Sequence, residues 1–348
     1  MTAYLLFVYP VALSENNVID IRRGQFRRVI VNGGPLVPRI GRFYPGSLLQ
    51  GVAGIYPQTL RPFRVVAMRS DTMKVDLNHP LNRYPLRLAT RVVDFQRTRV
   101  VRGSRCTDWL EEITANGPGM QARWPQTTTQ FETTAGSRRQ DEKEDALFYH
   151  SPRLVGHVDR LASSMIRRFY SLHLQNGDTV LDLMSSVQSH LPADCDLQVT
   201  GLGLNETELQ KNPVLKQFLV HDLNSNRTLP FGNQEFDAVV CSLSIEYLIN
   251  PREVIREIRR VLKPGGKVLI SFSNRWFPPK VTRLWTEIHD FERMGMVLDY
   301  CIADNGFRDL HTYSARNWPR PADDPHADEI MSSDPVFVVA GTKKEAAL

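Results

Sequence analysis

One stretch, Thr179 to Asn205, constrains this chain more than any other. Val180-Leu181 runs into Asp182 and then breaks into a small polar loop, Met184-Ser185-Ser186. A second apolar run ends at Gly201-Leu202-Gly203-Leu204-Asn205. Both runs are too apolar for exposed edge strands. Each ends in the polar or small residues that line a crevice at the carboxyl ends of parallel strands.

The pattern continues towards the carboxyl terminus. Periodicity predicts strands at 197–201, 218–221, Phe236–Ser242, 267–273, 310–313 and 335–340, alternating with helices at 206–211, 251–262 and 280–294. A further helix is expected over 151–172, with Pro152 in its first turn. In the 251–262 segment Val254, Ile255, Ile258, Val261 and Leu262 share one face, Pro251 opens the helix, and Pro264-Gly265-Gly266 closes it. Such alternation means a parallel-rich sheet covered by helices on both faces.

Residues 1–120 read differently. β-type runs at 4–9, 26–31, 64–68, 74–77 and 86–95 are separated by Gly, Pro and Asn. Seven prolines between Pro35 and Pro85 rule out long helices. Arg69-Ser70-Asp71-Thr72 has hairpin-turn composition. Residues 121–145 are Thr-rich and then highly charged, as linkers are. The expected organisation is a mostly-β domain over 1–120, a linker over 121–145 and an α/β domain over 146–342.

The 348 residues suit two domains. Residues 1–120 hold 17 Lys/Arg against 8 Asp/Glu, and the remainder 26 against 30. The basic amino-terminal module permits a polyanionic partner, but nucleic acid is not the favoured reading, because the module lacks the aromatic-studded basic stripe of single-strand binders. No apolar run is long enough to span a bilayer. The apolar start lacks a basic segment and a small-residue cleavage site, so a cytoplasmic protein is expected. Cys106, Cys195, Cys241 and Cys301 are scattered without CxxC or His spacing, which predicts reduced thiols and no metal site.

Two resemblances emerge. Leu229-Pro230-Phe231, Phe236-Asp237-Ala238-Val239-Val240 and Arg260-Val261-Leu262-Lys263-Pro264-Gly265-Gly266-Lys267-Val268 resemble, in order and spacing, the class I S-adenosylmethionine-dependent methyltransferases. The segment from Asp145 through Leu181-Asp182-Leu183-Met184-Ser185-Ser186 to Ser189-His190-Leu191-Pro192 is similar to a little-characterised branch of them with a glycine-free loop, in which the position of Val187 is commonly Trp. The resemblance implies a Rossmann-like seven-stranded methyltransferase sheet with a final antiparallel hairpin, S-adenosylmethionine as cofactor, and an unidentified methyl acceptor, small molecule or protein. Secondly, Val75-Asp76-Leu77-Asn78-His79-Pro80-Leu81 with Pro85-Leu86-Arg87-Leu88 resembles the flap region of SlyD-type FKBP prolyl isomerases, with His79 expected as a structural turn residue.

Carried over by position, Asp182 ends strand one, and Met184, Ser185 and Ser186 form the loop around the methionine end of the donor. Gly203, Leu204 and Asn205 meet the ribose, Asp222 and Leu223 flank the adenine, Ser242 begins the strand-four exit, and Tyr149 covers the donor. The family's loop carries glycines after the acid; this one has none, which asks for a differently shaped turn. The ribose-gripping acid is Gly203 here, with Asn205 as a substitute. Methyl transfer needs alignment above all. Were a base required, His190, Glu246 and Tyr247 are the candidates. The loop Asn274-Arg275-Trp276-Phe277-Pro278-Pro279-Lys280 lies in substrate territory, and Trp285 and His289 come after it. Three readings stay open: a methyltransferase whose amino-terminal module helps bind acceptor or partner, a non-catalytic binding or chaperone-like protein on the same fold, and a prolyl isomerase with an appendage.

Overall fold

The computed structural model describes residues 4–9, 13–31, 34–83, 86–91, 122–124 and 127–345. It divides into two compact units, Met1–Phe131 and Glu132–Leu348.

The first unit contains β1 (Tyr4–Tyr9), β2 (Val18–Arg22), β3 (Ile30–Val31), β4 (Gly34–Pro35), β5 (Phe43–Pro45), β6 (Pro62–Met68), β7 (Thr72–Asp76) and β8 (Leu86–Arg91). An antiparallel sheet runs in the order β2-β7-β6-β5, and β1 pairs with β8. Its core is Ile21, Phe26, Tyr44, Leu48, Leu49, Phe63, Val65, Met73 and Val75. Residues 69–72 turn the β6–β7 hairpin, where the Arg69 N–H donates to the Thr72 carbonyl at 2.9 Å. Two expectations shift. The 26–31 run pairs as a strand only at Ile30–Val31, because Phe26 buries its ring edge-on against Tyr44 at 5.4 Å and makes a lone bridge to Leu49. β2 was hidden by its charged Asp20, which lies on the strand's exposed face. The end of the 86–95 run, like Cys106, lies outside the described residues. His79 sits in a turn, where its Nδ1 accepts from the Leu81 N–H at 3.2 Å.

Among its described residues, the second unit is built on one seven-stranded sheet. The strands are β9 (Thr179–Leu183), β10 (Gln198–Gly203), β11 (Leu215–Val220), β12 (Phe236–Ser242), β13 (Leu262–Phe272), β14 (Phe307–Ala315) and β15 (Val336–Lys343). The helices are α1 (Asp145–Phe148), α2 (Arg160–Ser171), α3 (Glu206–Gln210), α4 (Pro251–Val261), α5 (Arg283–Glu287) and α6 (Asp290–Asp304). The order β11-β10-β9-β12-β13-β15-β14 is parallel through β13 and ends in an antiparallel pair. This is a Rossmann-like α/β sheet preceded by a smaller antiparallel one. Chain order reverses between β9 and β12, so a crevice opens at their carboxyl ends.

α2 buries Ala162, Ile166, Phe169 and Tyr170 against Val180, Val199, Val240, Leu269 and Val338. Residues of the opposite hand along β12 and β13 face the side covered by α4 and α6, since side chains alternate along a strand. No helix among the described residues is long and apolar enough to cross a membrane.

Several boundaries differ from expectation for identifiable reasons. α2 starts at Arg160, capped by the Asp159 carboxylate, which accepts from the Ala162 N–H at 2.9 Å. Leu154 is exposed, so its helical spacing to Val158 reflects chance, and 151–159 is irregular. The 280–294 helix is two, because His289 caps α6 anew. β13 begins at Leu262 and runs through Lys263-Pro264-Gly265-Gly266, with Gly265 at φ +77. The third strand is Leu215–Val220, earlier than the 218–221 expected.

Residues 132–145 pack within the second unit. Arg283 and Leu284 N–H groups donate to the carbonyls of Arg138 (2.8 Å) and Gly136 (2.9 Å), and the Asp141 N–H donates to that of Pro279 (2.8 Å). At the far end of the chain the 316–335 loop is fastened by Arg320, whose side chain is 2% exposed. It pairs with Asp334 at 2.9 Å, Asp324 at 3.2 Å and Asp159 at 3.6 Å. Removing one partner from a buried ionic cluster strands the others. Arg320→Met is therefore expected to lower the unfolding free energy by roughly 3–5 kcal/mol in chemical denaturation.

Candidate functional site

At the switch point the ends of β9, β10, β11 and β12, the 145–158 segment and the 275–277 loop enclose a cavity of about 340 Å³. Tyr149, Asp182, Met184, Ser185, Ser186, Gly203, Leu204, Asn205, Asp222, Leu223 and Ser242 all line it. His190, Tyr247, Trp276 and Phe277 line it too, and Glu246 lies behind the wall.

The glycine-free loop keeps a glycine-like turn. Met184 has φ +58, His190 φ +53, and Leu243, at the neighbouring strand exit, φ +55. Left-handed backbone at a side-chain-bearing residue costs on the order of 1–2 kcal/mol, and here three such residues border one cavity. The turn persists because its polar atoms are tied down from several sides. The Ser185 N–H donates to the Leu202 carbonyl at 2.8 Å and its hydroxyl to Asp182 at 2.5 Å. The Ser186 hydroxyl donates to Glu208 at 2.6 Å. The Asn212 amide reaches the Ser186 carbonyl (2.8 Å) and the Ser189 hydroxyl (2.7 Å).

Gly203 explains why an acid cannot stand at this strand end. A Cβ there would meet the Ser185 carbonyl oxygen at 2.2 Å. The loop occupies the space a side chain would need, so Gly203 is set by close approach, not by positive φ. Asn205 is committed elsewhere. Its amide donates to the Tyr149 and His150 carbonyls (2.8 and 3.0 Å), and its oxygen caps α3 through the Glu208 N–H at 3.1 Å. Asp222 closes its own turn, accepting from the Asn224 N–H at 2.9 Å and the Ser225 hydroxyl at 2.7 Å. Ser242 shares a 2.9 Å hydrogen bond with the Tyr170 hydroxyl.

Some contributors gave no sequence signal. Glu208 lies three residues beyond the Asn205 cap, a spacing that reads only as a helix start. Its carboxylate also accepts from the Arg153 N–H at 2.6 Å. Asp145 is a hub: Arg139 Nη1 donates to both of its oxygens (2.6 and 2.9 Å), Lys280 pairs with it at 3.2 Å and the Asn224 amide donates at 2.7 Å. Lys280 is fully buried and also donates to the Lys143 carbonyl at 2.7 Å. These contacts tie the 139–149 strap to the 274–280 loop. Trp285 packs edge-on against Phe272 at 4.9 Å, a core role, and His289 is an α6 cap.

Burial sets the electrostatics. The Asp182 carboxyl is pushed up to about 7 by desolvation, against the opposing hydroxyls of Ser185 and Ser189. Burial pushes His190 down to about 4, with help from Arg167 and His157. Its neutral ring shares a 2.9 Å hydrogen bond with the Ser163 hydroxyl. Burial raises Tyr149 well above the usual phenol range. The Tyr247 hydroxyl accepts from the Phe277 N–H at 2.9 Å and its ring stacks on Phe277. Burial lifts Glu246 to about 8, and neither carboxylate oxygen has a hydrogen-bond partner among the described residues.

Comparison with known proteins adds a sequence-level link. Residues 185–270 match the family described as "Methyltransferase domain". Over 137 residues, 38% of this chain and 50% of the relative, the chain is 33% identical to the ubiquinone/menaquinone biosynthesis C-methyltransferase UbiE of Bartonella quintana. Over 93 residues, 26% of this chain and 34% of the relative, it is 33% identical to the malonyl-[acyl-carrier protein] O-methyltransferase of Erwinia pyrifoliae. The chain spans about half the length of the first curated relatives it matches. A solved S-adenosylmethionine-dependent methyltransferase from Thermotoga maritima, described as a possible histamine N-methyltransferase, aligns over 54% of this chain and 90% of its own with 15% identity and a TM-score of 0.39.

The strained turn and the buried acid behind it can each be probed by substitution. Met184→Gly relieves the left-handed strain and is expected to raise stability by about 1 kcal/mol, whereas Gly203→Ala overpacks the loop and costs roughly 1–3 kcal/mol; thermal unfolding of both variants checks the pair. Glu246 keeps its proton in the folded chain until about pH 8, but loses it near the ordinary 4.5 when unfolded. Its contribution to stability is thus complete below about pH 4.5 and lost as pH rises through 8. Glu246→Gln should gain stability over the parent as pH climbs through that window, by up to a few kcal/mol, read from denaturation at pH 5 and pH 9.

Proposed function

We propose that this chain is an S-adenosylmethionine-dependent methyltransferase whose donor lies in the cavity at the β9/β12 switch point. The observation that carries the reading is convergence. Eleven residues from four strand ends and the preceding segment, assigned by position to one donor, line one cavity. The residues also suit the group. The Met184 turn and the side-chain-free face of Gly203 shape the wall between β9 and β10. Leu223 presents a buried apolar flank beside Asp222, and Tyr149 closes the cavity from the strap side.

S-adenosylmethionine, when bound, supplies an electrophilic methyl on a sulfonium. The chain's own residues hold and orient. Met184, Ser185 and Ser186 bear on the methionine end, Gly203 and Leu204 on the ribose, with Asn205 fixing the strap carbonyls and the start of α3 beside them, and Asp222 with Leu223 on the adenine. The 274–280 loop forms the acceptor side, with Trp276 and Phe277 excluding water. His190 lines the cavity, but burial lowers it to about 4, which makes it a weak proton acceptor if the methyl acceptor must lose one. The amino-terminal module, similar to the flap of SlyD-type isomerases, assists acceptor or partner binding. The printed acceptors of the relatives differ from one another, so no acceptor transfers to this chain by similarity.

The left-handed turn at Met184 leaves the cavity wall formed without a glycine, which supports donor binding. Calorimetric titration of the full chain with S-adenosylmethionine and S-adenosylhomocysteine tests this. Both are expected to bind, Tyr149→Ala weakening each about tenfold. Absence of binding at millimolar ligand would overturn the reading.

A further inference from the structure

We infer that the aromatic corner of this cavity, formed by Phe148, Tyr149 and Phe277 around Arg153, binds a carboxylate or phosphate carried by the methyl acceptor. The inference rests on the donor reading above and narrows its acceptor class.

The guanidinium of Arg153 stands over three rings, 4.6 Å from Phe148, 5.5 Å from Tyr149 and 4.9 Å from Phe277. It fills the space in which such a box would hold a cationic acceptor. Its Nη2 donates to the Phe148 carbonyl at 3.3 Å, while Nη1 is buried without a hydrogen-bond partner. No carboxylate among the described residues pairs with this guanidinium. Glu208 meets the Arg153 backbone and spends its other oxygen on Ser186. Arg153 is half-buried, and a partly desolvated guanidinium with a buried, unbonded Nη1 gains from an anionic ligand that completes it.

The surroundings add to the positive charge. Arg275, on the acceptor loop, lines the same cavity. Its contact with Asp334 is long, 3.4 Å, and that carboxylate is already held by Arg320 at 2.9 Å. The His157 ring lies edge-on to Phe277 at 5.6 Å. Burial holds its pKa below the ordinary value; Glu208 opposes this, and Arg153 and Arg275 reinforce it. Two guanidinium groups thus line this side of the cavity, one of them over the Phe277 ring, with the His157 imidazole beside it. Guanidinium forks match carboxylate and phosphate geometry.

The test uses the full chain saturated with S-adenosylhomocysteine, titrated calorimetrically with inorganic phosphate, with benzoate and with tetramethylammonium. Phosphate or benzoate is expected to bind and tetramethylammonium not to. Arg153→Met should weaken the anion about tenfold or more, Arg275→Met by less, and Arg153→Lys should recover part of the loss. Affinity for S-adenosylhomocysteine should change less than about twofold in each. The inference is overturned if neither anion binds, if binding ignores all three substitutions, or if tetramethylammonium is preferred. It is also overturned if Arg153→Met weakens S-adenosylhomocysteine about tenfold but leaves 5′-methylthioadenosine, which lacks the amino-acid portion, unchanged. The guanidinium would then serve the donor. Repeating the anion titrations without S-adenosylhomocysteine separates the two claims. Arg153-dependent anion binding in a chain that binds no S-adenosylhomocysteine removes the donor reading and keeps the anion site.

Discussion

The missing Cβ of Gly203 is the constraint on which the cavity depends. Because nothing projects there, the Ser185 carbonyl settles against the end of β10 and the Ser185 N–H reaches the Leu202 carbonyl at 2.8 Å. That backbone contact joins the exits of β9 and β10 and forces the turn at Met184 into the left-handed region. A loop without glycine thereby adopts the kind of turn usually left to glycine, the strain being offset by hydrogen bonds from Asp182, Glu208 and Asn212.

The other wall is held by charge. Asp145 gathers the Nη1 of Arg139 on both its oxygens, the ammonium of Lys280 and the amide of Asn224. Those partners come from the strap, the acceptor loop and the β11 exit, so one buried carboxylate sets the relative positions of Tyr149, Phe277 and Leu223. Pairs this deep contribute more to geometry than to net stability. The same burial that makes them rigid keeps Asp182 and Glu246 protonated well above the usual carboxylate range.

Donor and acceptor sides of the cavity also differ in charge. Asp222 lies at the β11 exit, whereas Arg153 and Arg275 line the side of the strap and the 274–280 loop, Arg153 over the Phe277 ring. An anionic acceptor would meet those guanidinium groups, which favours alignment before any proton moves.

The sheet of the second unit was legible in the sequence because its strands are buried runs at regular spacing and α4 has an apolar stripe between Pro251 and Gly265. Asp182 and Ser242 could be placed for the same reason: a residue at the end of a buried parallel strand has only one crevice to line. Periodicity could not distinguish the irregular 151–159 segment from a helix, since Leu154 and Val158 happen to fall four apart. Nor could it find Arg139, Asp145, Arg153, Lys280 or Glu208, because polar residues on loops carry no period. The chain by itself determined which strands form and which of their ends meet, through hydrophobic spacing. Only the tertiary structure decided that Gly203 makes room for a carbonyl, that Met184 turns left-handed, and that an arginine sits within an aromatic box. Each of those depends on distances between segments far apart in the chain, which local pattern does not encode.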